Sequence, residues 1–137
     1  MESLEIGAKE EYIIMAGDGD MASALGDGSG DRFPEVFATS RMIALMELAA
    51  ARLMKKLLKP GELSVGVGVN IMHLAATPNH TEVKAVATFL GMEKNLHKFE
   101  VKAFDTGGII GKGVHTRAII DFERLVSGAE KRIKEAS

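Results

Sequence analysis

Between Met42 and Met54 the chain reads MIALMELAAARLM, and only Glu47 and Arg52 interrupt the apolar residues. These are good helix formers, and Thr39 or Ser40 supplies an N-cap ahead of them. The predicted helix runs from Met42 to Leu58 and stops at Pro60 and Gly61 in KPGEL. At about 100° per residue, Met42, Met46, Ala49, Ala50, Leu53 and Leu57 form one stripe, while Ala44, Leu48, Ala51 and Leu58 cover the opposite side. A helix apolar nearly all round has to be buried, so the rest of the chain must wrap it.

The segments around it have the right pattern to do so. Ser3–Met15 alternates imperfectly and reads as a first strand. From Ser64 onward the period is two. SVGVGVNIMHLAAT sets Val65, Val67, Val69, Ile71 and His73 on one face against Gly66, Gly68, Asn70 and Met72. TEVKAVATFL groups Val83, Ala85, Ala87 and Phe89, and LHKFEVKAFD groups His97, Phe99, Val101 and Ala103. A turn at DTGG leads into a last long strand, IIGKGVHTRAIIDF, and then a charged helical tail. Strand, loop, long buried helix and four antiparallel strands make an α+β fold, and an antiparallel sheet wrapped around a central helix is the hotdog arrangement. One domain is expected for residues 1–137. Edge strands and leftover apolar surface predict at least a homodimer, or a dimer of dimers.

Composition removes several classes of function. Aromatic residues are 5% of the chain, with no Trp and only Tyr12, so a stacking platform for nucleic-acid bases is not expected. A formal charge of −2 offers no basic field for a polyanion. No apolar run approaches the roughly 18 residues that span a bilayer. Without cysteine, disulfides, thiolate catalysis and cysteine–zinc sites are excluded. MESLEIGAKEEY is unlike a secretory signal, and a cytoplasmic protein is expected.

Glu47 is the residue that needs explaining. Its helical neighbours at i±3 and i±4 are Ala44, Ile43, Ala50 and Ala51, so no local salt bridge satisfies it, and Arg41 and Arg52 are poorly placed. It meets either a distant partner or a solvent gap at a dimer seam, or it is a functional carboxylate, because desolvated acids concentrate at active sites. Thr39, eight residues earlier, reads as a cap whose hydroxyl lies among free backbone N–H groups suited to an oxyanion or thioester carbonyl. Two helical turns, about 12 Å, separate the two. His73 falls on an apolar strand face, where a core role is the commoner one. His80, His97 and His115 have no metal-ligand spacing and read as surface residues, and Arg117 reads as a surface salt-bridge partner. The loop Gly17–Asp31, with its run of glycines and aspartates, is a connector or a lid.

Three blocks, FPEVFATSRMIALMELA, VNIMHLAATP and GKGVHTRAII, resemble the fluoroacetyl-CoA thioesterase family of hotdog-fold enzymes. The likeness spans Phe33 to Glu123, about two thirds of the chain. It implies hydrolysis of a short acyl-CoA by a Thr, Glu and His constellation that falls on Thr39, Glu47 and His73, with no metal and no cofactor beyond the CoA thioester itself. It further implies that the Gly66 N–H helps bind the thioester oxygen, that Arg117 is the active-site arginine and that Phe33 gates the acyl pocket. The loop ahead of Phe33 departs from the family segment, which is less glycine-rich and carries aromatic residues, so selectivity for a fluoroacyl group is not carried over. Two mechanisms fit: Glu47 attacks to form an anhydride, or Thr39 attacks with His73 as base. Glu47 as nucleophile or base, with Thr39 orienting, is the favoured expectation. A non-catalytic acyl-CoA binding or sensing module is the alternative.

Overall fold

The apolar run is helical, in a computed structural model that describes residues 3–137. The elements are β1 (Lys9–Met15), α1 (Thr39–Met54), β2 (Glu62–His73), β3 (Glu82–Glu93), β4 (Leu96–Asp105), β5 (Gly108–Asp121) and α2 (Phe122–Ala136). The five strands form one antiparallel sheet in the order β1-β3-β4-β5-β2, so β1 and β2 are its edges. This is the expected α+β hotdog architecture.

Alternation places Val83, Ala85, Ala87 and Phe89 of β3 and Phe99, Val101 and Ala103 of β4 against α1, all fully or nearly fully buried. From α1 the packing residues are Met42, Leu45, Met46, Ala49, Ala50 and Met54. Small alanines on both surfaces let the helix lie close to the sheet, and methionines fill the irregular gaps. The fit is tight enough that a Cβ at Gly111 of β5 would fall 2.5 Å from Met42 Sδ.

Five expectations need correction. The first strand starts at Lys9 rather than Ser3; residues 3–8 run irregularly, with Gly7 at a φ of +95° and Leu4 tucked into the core. Thr39 is the first helical residue and Ala38 holds the cap position, so neither Thr39 nor Ser40 caps α1. The helix ends at Met54 and tightens into a 3₁₀ turn, Lys55–Leu57. It is not buried on every side within one chain: Leu48 is 36% exposed and the Glu47 side chain 42%. A five-stranded sheet curls around one side of a helix only, and the stripe holding Glu47 and Leu48 is left open.

The fifth correction concerns β2. A bulge between Gly66 and Gly68 inserts Val67 as an extra residue against β5. One extra residue inverts the alternation. Ser64 and Gly66 therefore share the helix-facing side with Ile71 and His73, and Val67 is 56% exposed.

The Gly17–Asp31 loop divides in two. Its first part folds into 3₁₀ turns at Asp18–Asp20 and Ala22–Leu25 around the buried Met21, which bridges to Phe37. Asp20 accepts from Arg41 Nε at 2.9 Å, and its carbonyl accepts the Ala38 N–H at 2.9 Å. From Gly26 to Glu35 every residue is exposed.

Candidate active site

Two side-chain clusters lie along α1. The first is at its start. Thr77, fully buried, donates to Asp105 at 2.7 Å, and its carbonyl accepts the Phe37 N–H at 2.8 Å. This fastens the AATP segment after β2 to the chain entering α1. Thr39 and the end of β2 are thereby set side by side, with Thr39 Oγ1 2.8 Å from His73 Nδ1. When Nδ1 is bare the hydroxyl donates to it; when Nδ1 carries the proton, it donates to the hydroxyl. His73 Nε2 is buried and has no partner among the described residues. Thr39 and His73 line a cavity of about 400 Å³, together with Ala22, Pro34, Val36, Phe37, Leu74, Ala75 and Ala76.

The second cluster lies two turns along. Arg117 on β5, buried with a side chain only 7% exposed, donates from Nη1 to Glu47 Oε2 at 2.9 Å. Its Nε donates to Ser64 Oγ at 3.1 Å and its Nη2 to the Ser64 carbonyl at 3.0 Å. Glu47 thus has the distant partner that its own helix could not supply. Gly66 is cross-strand from Arg117, and a Cβ there would collide with Glu47 Oε2. Only glycine leaves that space to the carboxylate.

The structure therefore brings Thr39 to His73, and Glu47 to Arg117 and Gly66, but does not join the two sets within one chain. Phe33 is 47% exposed and is not among the cavity residues, although its neighbour Pro34 is. Two expectations about surface residues fail. Arg117 is an interior residue, because the period-two face of Gly111, Gly113, His115 and Arg117 is turned to the helix. His115 shares that face and is 2% exposed, with Nδ1 2.8 Å from the Gly68 carbonyl and Nε2 3.2 Å from Arg117 Nη1. Its spacing of two from Arg117 was the available signal. His97, opposite Arg117 on β4, is half-buried. Burial holds both histidines below the ordinary value; the Arg117 charge also lowers His115, while the Gly68 carbonyl and Glu47 act to raise it.

A hydroxyl hydrogen-bonded to an imidazole at an apolar cavity, with a clamped carboxylate two helical turns away, is an arrangement of groups able to support acyl transfer. Comparison with known proteins decides the family. The model for the fluoroacetyl-CoA-specific thioesterase family matches residues 19–123. This chain belongs to that family. It is 42% identical over 93 residues to the fluoroacetyl-CoA thioesterase of Streptantibioticus cattleyicolor, covering 68% of this chain and 67% of the relative. A crystal structure of a fluoroacetyl-CoA thioesterase superposes with a TM-score of 0.90 at 32% identity, covering 95% of this chain and 98% of the other. A Thermus thermophilus protein described as a thioesterase superfamily member gives 0.85 at 26% identity, over 99% of this chain and 97% of its own. The chain is accordingly a hotdog-fold thioester hydrolase, acting on acyl-CoA thioesters.

Proposed function

We propose that this enzyme hydrolyses a short-chain acyl-CoA in the cytoplasm, as a homodimer or dimer of dimers, without metal or cofactor, through Thr39, His73 and Glu47. The observation that carries the proposal is the 2.8 Å contact between Thr39 Oγ1 and His73 Nδ1 at the apolar cavity, with His73 Nε2 unpartnered among the described residues. Ala22, Pro34, Val36 and Phe37 offer a small acyl group apolar surface and no charge. The N–H groups of the first turn of α1 suit the developing oxyanion. The Gly66 amide, which lies beside Glu47, would have to come from the partner subunit together with that carboxylate.

About 12 Å of helix rise separates Thr39 from Glu47, too far for one carbonyl to meet both. An isologous dimer removes the difficulty by setting the Thr39–His73 pair of one subunit opposite Glu47 of the partner subunit. Support comes from the open edge of β2 and its exposed Leu63, Val67, Val69 and Met72, and from the uncovered stripe of α1 that carries Glu47 and Leu48.

The Thr39–His73 contact favours attack by Thr39 over the anhydride route. Thr39 passes its proton to His73 and its oxygen bonds the thioester carbonyl. The C–S bond breaks, and His73 returns the proton to the CoA sulfur. Water then adds to the Thr39 ester, with Glu47 of the partner subunit taking its proton. The acid leaves as the proton reaches the Thr39 oxygen.

The test follows thiol release from a panel of short acyl-CoAs, with wild type beside Glu47→Gln and His73→Ala. Turnover of one substrate that collapses in both variants is expected. CoA binding without turnover across the panel would favour the sensing module instead.

A further inference from the structure

We infer that His115 is a positioning residue, locking Arg117, and through it the Glu47 carboxylate, to the Gly66–Gly68 bulge of β2. The inference rests on the proposed role of Glu47 and adds a residue to it. It starts from a constraint on protons. A guanidinium only donates, so His115 Nε2, 3.2 Å from Arg117 Nη1, has to present a lone pair. The ring proton then sits on Nδ1, which donates to the Gly68 carbonyl at 2.8 Å. One neutral tautomer satisfies both contacts, and neither the imidazolium nor the other tautomer does.

The consequences spread through the bulge. Arg117 grips Ser64 twice on one side of Gly66, and His115 grips Gly68 on the other. The carboxylate of Glu47 occupies the space that a side chain at Gly66 would need, and His115 Cε1 lies 3.2 Å from that same point. Three groups close around the backbone of Gly66. Moving His115 therefore moves Arg117, the carboxylate and the curvature of the strand together. The groups facing His115 are Glu47 from α1, Arg117 from its own strand and His97 from β4; opposite it across the sheet stand Val69 and Phe99. A second proton on the buried ring would point at the guanidinium, which both burial and Arg117 oppose.

Two measurements test this. Imidazole proton–nitrogen correlation spectra of the intact protein read the tautomer without any substrate. Protonated Nδ1 and bare Nε2 at His115 are expected, unchanged as the pH is lowered to the ordinary imidazole value of 6.5. A proton on Nε2, or uptake of a second ring proton at or above that value, would overturn the inference. In the kinetic arm, His115→Ala lowers kcat about tenfold with KM changed less than about twofold, the scale of one hydrogen bond to a charged group. His115→Gln, whose amide oxygen can accept from Arg117, recovers much of that loss. Equal loss in both variants, or kcat retained in the alanine variant, would overturn it. Wild type inert toward every acyl-CoA would sink the proposed function alone, and the spectra would still decide the tautomer.

Discussion

The two clusters on α1 are built to opposite specifications. Thr39 and His73 share a hydrogen bond at an open cavity, and the other ring nitrogen of the histidine has no partner among the described residues. Glu47 is held by Arg117, whose every nitrogen has a partner and which is buried beneath the sheet. The first arrangement leaves protons free to move. The second fixes a charge and lets nothing turn. The proposed mechanism uses both, because Thr39 and His73 exchange a proton while Glu47 has to be held in place to take one from water.

The sharpest way to break this comparison is to disable each cluster separately. Thr39→Ala and Glu47→Gln should each reduce thioester hydrolysis by at least about a hundredfold. Mass spectrometry of the intact protein should find an acyl group accumulating on Thr39 in Glu47→Gln. Its absence would restore the anhydride route. Dimers mixed from the two inactive variants should regain activity, since one of their two sites then pairs an intact Thr39 with an intact Glu47 of the partner subunit. No recovery would confine the site to one chain.

Gly66→Ala sharpens the contrast. The new methyl group meets only side-chain atoms, those of Glu47 and His115, so kcat should fall about tenfold or more while the denaturation midpoint moves less than in the control. Gly113→Ala on the neighbouring strand is the control, because its Cβ would collide with the Asn70 carbonyl oxygen and Ile71 Cα, both backbone atoms of β2. There the loss should be in stability, about 2 kcal/mol or more by urea denaturation.

Arg117→Leu tests how much the clamp contributes to folding. Glu47 is 42% exposed, so solvent screening leaves the ion pair itself little weight. The lost contacts to Ser64 and His115 set the scale, about 1–3 kcal/mol in urea denaturation. A variant as stable as wild type would mean that the network serves catalysis alone.

The smallest effect is in the pH dependence of stability. Burial lowers His115 and His97 from the ordinary 6.5, so the unfolded chain takes up protons where the folded one does not. The stability they contribute is fully present above that value and is lost as the pH falls through the window below it. The denaturation midpoint should drop between about pH 7 and about pH 5, and the slope should be shallower in His115→Gln. Identical slopes would leave His97 as the source.

Much of this was legible in the sequence. The helix, the four strands after it and the inner faces of β3 and β4 follow from periods of 3.6 and two, because burial on one side writes itself into spacing. Glu47 stood out because its own helix offered it no partner. The bulge at Val67 left no such mark: SVGVGVNIMH alternates without a break, and the extra residue exists only in the pairing with β5. Arg117 and His115 were misplaced for the same reason. A charged or titratable residue on a strand signals surface until the partner that satisfies it is known, and apart from each other their partners are 47 to 70 residues away in sequence. Local pattern determined the elements and the identity of the odd carboxylate. Which buried groups share a proton or a charge was decided by strand register and helix placement, since hydrogen bonds act over about 3 Å and recognise only what the fold brings that close.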